Sequence, residues 1–137
     1  MKLYLNRIEE PFVLQVSNED GAKIVFDGSP DIGGKNKGLR PMQGVAASLA
    51  ACSSIDVLYI LRKQKLVPEL YEVEINAKRK EDEVPAVFES IHLKFKFKGV
   101  PIDKAERAVE LSVSKYCSVS RMLEHSVEIT SSVELIK

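Results

Sequence analysis

Histidine and cysteine are scarce in this chain, two of each among 137 residues, and no pair of them falls at a short ligand spacing. A protein metal site draws its ligands from such spacings, so the sequence argues against a metal and calls for no cofactor. Net charge is also missing. Twenty basic and twenty acidic residues cancel, which leaves no field to draw in nucleic acid or an anionic membrane surface. The opening stretch, MKLYLNRIEEPFVLQV, carries Arg7, Glu9 and Glu10 where a secretion signal would hold its apolar core. The expected location is therefore the cytoplasm, where the two cysteines stay reduced at rest. No long apolar run survives inspection as a membrane span. Residues 41–61 have the length, but Gln43, Ser48, Ser53, Ser54 and Asp56 interrupt them, so they read as a buried helix of a soluble domain.

What the chain does have is enough apolar content, 45%, for one domain over residues 1–137 with its own core. Residues 1–40 read as a strand meander and loop. KLYLNRI, FVLQV and AKIVF alternate as strands, and DGSPDIGGKNKG, residues 27–38, reads as an exposed, mobile loop. Residues 41–137 open with a long helix over 41–65, started by Pro41 and ended by LRKQKLVP, whose cations suit a helix C-terminus. Its small apolar half, Val45 to Cys52, is expected to be enclosed on all sides. YEVEINAKR and FESIHLKFKFKG then alternate as two long half-buried strands. Asp103 and Glu106 form a capping pair for a second helix, with Ala105, Ala108, Val109, Ser112, Val113 and Tyr116 on its apolar stripe. SVSRMLEH makes a short third helix, and Val127, Ile129, Val133 and Leu135 alternate in a closing strand. The fold class is α+β.

Chemistry rests on the thiols. Cys117 precedes a short helix, whose N-terminal N–H groups favour a thiolate, whereas Cys52 sits mid-helix with Asp56 one turn on. On local physics Cys52 is a small core hydrophobe. PMQGVAASLAACSSIDVLYILRKQ together with AVELSVSKYCSVSRMLEHSVEI, however, resembles the OsmC/Ohr superfamily, and the small residues leading to a cysteine, an aspartate four later and KYCSV resemble its YhfA-like branch. The resemblance runs from Pro41 to the C-terminus. It implies antiparallel sheets around a long central helix in an intertwined homodimer. It also implies a thiol peroxidase acting on organic or hydrogen peroxide, with Cys52 in the peroxidatic position, Cys117 in the resolving one, and a dithiol reductant as partner.

The chain departs from that family where the thiol is activated. A family glutamate ten positions before the first cysteine holds an arginine over it; here that position is Met42 and its neighbour is Gln43. Arg7 and Arg40 are the candidate stand-in cations. The departure leaves a second expectation open beside the peroxidase: a non-enzymatic protein of the same fold that binds a small apolar ligand or senses redox state. A bare dimerisation module with no site is the third. Among other polar residues, Asp56 reads as a carboxylate satisfied by backbone or serine donors, His92 as solvated beside Lys94 and Lys96, His125 as a structural cation at a helix end, and Tyr116 as a core contact.

Overall fold

The N-terminal alternation becomes an antiparallel meander in the computed structural model, which describes residues 1–137. Strands β1 (Leu3–Glu9), β2 (Val13–Asn18) and β3 (Lys23–Phe26) form one sheet in that order, with Leu5 opposite Val16 and Val16 opposite Ile24. These strands belong to the first of two compact units, Met1–Val45; the second is Ala46–Lys137.

The loop after β3 differs from the mobile segment expected. Asp27 is only 2% exposed; its Oδ1 accepts the Gly28 N–H at 2.7 Å, and its Oδ2 accepts those of Lys35 at 2.9 Å and Lys37 at 3.2 Å. One carboxylate thus gathers both ends of the loop. The backbone closes so tightly that a Cβ on Gly34 would lie 1.7 Å from the Gly28 carbonyl oxygen, which is why glycine stands there.

Helix α1 runs from Pro41 to Lys63. Pro41 supplies a first turn that needs no N–H, and the Gln43 side chain reaches back to accept the Arg40 N–H at 3.0 Å, half of a capping box. Its end carries Arg62 and Lys63. Ala46, Leu49, Ala50, Ser53, Val57 and Leu61 are buried along one stripe, spaced three and four apart as a single helix face requires. The opposite side corrects the expectation that the half from Val45 to Cys52 is enclosed: Val45 and Ala51 are exposed there, and further along so are Ile55, by 69%, Leu58 and Tyr59. The sequence is apolar on both faces, and only one of them is covered within the chain.

A second sheet has the order β4-β5-β6, with β4 spanning Leu70–Arg79, β5 Phe88–Lys98 and β6 Glu128–Leu135. Ile91, Leu93, Phe95 and Phe97 of the central strand are fully buried, while Lys94 and Lys96 on its other face pair with Glu134 and Glu74. The α+β class holds, with one pairing that differs from the antiparallel expectation. β6 runs parallel to β5, and a parallel return needs a crossover connection. Helix α2 (Ile102–Leu111), a π-helical turn (Ser112–Tyr116) and helix α3 (Ser118–Leu123) fill it.

Two details of α2 correct the sequence reading. Pro101 takes the N-cap with no side-chain cap bond, and Asp103 falls inside the first turn, because the proline starts the helix two residues early. Ala105, Ala108, Val109 and Ser112 are buried as expected, but Tyr116 is 51% exposed. The π-turn is wider than an α-turn, so the stripe loses phase after Ser112 and the tyrosine rotates off the core.

Candidate functional site

The two cysteines are brought together by α1 and the π-turn. Ser112 begins that turn with no exposed surface, and its Oγ lies 2.9 Å from the Ser53 carbonyl oxygen and 3.4 Å from Asp56 Oδ2. One hydroxyl thus pins the π-turn to α1. The Cys117 N–H then bonds the Ser112 carbonyl at 2.8 Å, the five-residue step that carries Cys117 back toward the helix.

Both thiols are free, and their burial is the reverse of the local reading. Cys117 is buried and Cys52 only half-buried. The Cys117 sulfur lies 3.3 Å from Ser53 Oγ, 3.4 Å from the Ser120 N–H that it caps, and 3.9 Å from the Leu49 carbonyl oxygen. Burial pushes the Cys117 thiol up; the Ser53 hydroxyl and Ser120 N–H oppose this, and Cys52, a direct neighbour, pushes it further up. The N-terminus of α3 therefore does not make Cys117 the readily ionised thiol that its position suggested, because desolvation outweighs two donors. No cation is among the groups acting on it.

The candidate cations both lie in the unit Met1–Val45 and have partners there. Arg7 Nη2 is 3.4 Å from Glu10 Oε1, and Arg40 Nη2 donates to Asn36 Oδ1 at 3.1 Å. Gln43 is spent on the Arg40 N–H. Asp56 is half-buried beside the Ser112 hydroxyl. With Tyr59, Ile60, Lys63, Leu111 and Tyr116 it lines an open cavity of about 410 Å3, beginning one helical turn from Cys52. His92, expected in solvent, is half-buried, with Nδ1 2.7 Å from Thr130 Oγ1 and Nε2 2.9 Å from Ser132 Oγ. His125 is exposed after α3.

Ser53, Ser112 and Ser120 are the site residues that sequence reasoning missed as such. All three are buried. The available signal was a serine in register with an apolar stripe, at Ser53 in α1 and at Ser112 just after α2.

Comparison with known proteins agrees across nearly the whole chain. The model of the family described as OsmC-like protein matches residues 34–132. Protein YhfA of Escherichia coli K12 is 39% identical over 118 residues, which cover 85% of this chain and 84% of that protein. A crystal structure from Aquifex aeolicus VF5 superposes with a TM-score of 0.78 at 29% identity, covering 99% of this chain and 97% of the other. An organic hydroperoxide resistance protein OsmC from Legionella pneumophila shares the fold with a TM-score of 0.70 at 20% identity, covering 97% and 95%.

Proposed function

This chain belongs to the OsmC-like protein family, on its YhfA-like side, and from that premise we propose that it is a cytoplasmic thiol-dependent peroxidase of peroxide stress defence. The observation that carries the reading is the pairing of a half-buried Cys52 with a buried, free Cys117 as direct neighbours. The Cys52 thiolate attacks the outer oxygen of a hydroperoxide; a sulfur–oxygen bond forms, the O–O bond breaks, and the remaining oxygen leaves as alcohol or water once protonated. Cys117 then attacks the sulfenic sulfur, forming the disulfide and releasing water. A dithiol reductant returns both thiols. Legionella pneumophila's organic hydroperoxide resistance protein shares this fold, which supports the substrate class.

A homodimer belongs to the same reading. Val45, Ile55, Leu58 and Tyr59 leave one side of α1 apolar and uncovered, and a second copy is the partner that the family resemblance implies. Stoichiometric peroxide should convert two free thiols per chain into one disulfide, read as the loss of both alkylation sites and of two hydrogens in the intact mass. If both cysteines remain alkylable, or Cys52→Ser consumes peroxide as fast as the parent, the peroxidase reading falls.

One observation favours the other reading, a non-enzymatic ligand-binding or redox-sensing protein. The Gln43 side chain caps α1 by accepting the Arg40 backbone N–H, where the family's acidic residue would hold an arginine side chain. Native mass spectrometry of gently purified protein separates the two: a retained apolar ligand with peroxide-inert thiols supports the second.

A further inference from the structure

Ser53 is fully buried on the inner stripe of α1, and its hydroxyl faces two acceptors at once: the Leu49 carbonyl oxygen at 2.8 Å and the Cys117 sulfur at 3.3 Å. A serine hydroxyl has one proton and two lone pairs. It cannot donate to both. When Cys117 is a thiol, the Ser53 proton can rest on Leu49, the ordinary back-bond of a serine inside a helix, while its oxygen is free to accept the S–H. When Cys117 is a thiolate, the same proton turns onto sulfur and the carbonyl keeps its helical partner.

We propose that Ser53 is a positioning residue for Cys117, a buried hydroxyl that reverses its hydrogen bond and so sets how readily the resolving thiolate forms. The inference rests on the reading of Cys117 as the resolving thiol. Bulk water cannot take this part, because Ser53 has no exposed surface and Cys117 only 2%. The groups facing the sulfur are few. From α1 come the Leu49 carbonyl, the Ser53 hydroxyl and Cys52, the titratable side chain that acts on it; from α3 comes the Ser120 N–H. Asp56, further along α1, faces the Ser112 hydroxyl. With no cation acting on Cys117, the thiolate depends on two uncharged donors, and Ser53 is the one carried by a side chain. In the resolving step Cys117 gives up its proton, its sulfur bonds to Cys52, the sulfur–oxygen bond of the sulfenic acid breaks, and the departing hydroxide takes up one proton to leave as water. No further reactant is required.

The test reads one thiol alone. In a Cys52→Ala background, ultraviolet absorbance of the thiolate against pH gives the Cys117 midpoint without any need for reagent access. Adding Ser53→Ala should raise that midpoint by about one unit or more, since a hydrogen bond to a charged group is lost. Adding Ser53→Thr, which keeps the hydroxyl, should return it to the Cys52→Ala value. A midpoint unmoved by Ser53→Ala overturns the proposal. So does a midpoint raised equally by alanine and threonine, because packing would then be setting it. In the two-cysteine protein, Ser53→Ala should slow disulfide closure after a peroxide pulse about tenfold at neutral pH; closure at the parent rate overturns it. Should Cys52 prove inert to peroxide, the peroxidase reading fails while the titration still decides the role of Ser53.

Discussion

Asp27 and Cys117 are both acids buried to 2% exposure, and burial is the largest influence on each, pushing both upward. They finish on opposite sides of their ordinary values. Around Asp27, backbone N–H groups of Lys35, Lys37 and Gly28 and the charge of Arg40 more than reverse the effect of burial, so its carboxyl lies below the usual range. Around Cys117 only the Ser53 hydroxyl and the Ser120 N–H oppose it, and Cys52 adds to the rise. The number of donors, not the depth of burial, decides which acid holds its charge. Asp27 is a permanent anion that ties a loop. Cys117, with its thiol pushed up, is neutral at rest.

The largest expected effect comes from emptying the better-supplied of the two. Asp27→Ala leaves three N–H groups in a closed loop without their acceptor, and unpaired buried donors are costly. It should lower the melting temperature more than any other substitution named here. Asp27→Asn should fall between, since its amide nitrogen cannot accept. The pH sign follows from the lowered carboxyl: the anion stabilises the fold above the ordinary carboxylate value of about 3.9, and that part is lost as pH falls through the lower folded value. In Asp27→Asn the acid limb should be shallower. Melting at the parent temperature with an unchanged acid limb would mean that the loop does not depend on this carboxylate.

Cys117 gives the mirror image at the other end of the pH scale. Its raised thiol favours the neutral form in the fold, so this contribution is complete below the ordinary thiol value of about 8.5 and is lost as pH rises through the folded value. Tyr71, pushed up to about 12 by burial, adds to that limb only as pH nears its ordinary value of about 10, and it does so equally in the parent and in Cys117→Ala. Denaturation midpoints from pH 8 to pH 10.5 should fall for the parent and stay flatter for Cys117→Ala. Parallel curves would show that Cys117 titrates alike in the folded and unfolded chain.

The same contrast explains what could be read from the sequence. Apolar alternation marked β5 down to Ile91, Leu93, Phe95 and Phe97, and Pro41 and the closing cations marked both ends of α1, because periodicity and caps are local. The donors of Asp27 were invisible, since the N–H groups of Lys35 and Lys37 belong to the backbone and leave no trace in residue type. Tyr116 was misread because a π-turn changes the period without a sequence mark. The uncovered side of α1 was hidden by composition, as Ala51, Ile55 and Leu58 look no less buried than Ala50, Val57 and Leu61. The resemblance implied roles for both cysteines, but which of them would be buried depended on the step from Ser112 to Cys117.

The smallest effect separates holding the site together from tuning it. Ser112→Ala removes the hydroxyl between the Ser53 carbonyl and Asp56 but leaves the bond from the Cys117 N–H to the Ser112 carbonyl, which is backbone. The loss should be about 1 kcal/mol in denaturant unfolding, the ordinary net worth of a buried hydrogen bond. The Cys117 titration should not move, because Ser112 is not among the groups that act on that sulfur. Ser53→Ala should do the converse to the thiol, raising its midpoint. If Ser112→Ala shifts the Cys117 midpoint as far as Ser53→Ala does, then the attachment of the π-turn governs the thiol, and the count of donors at the sulfur does not distinguish it from Asp27.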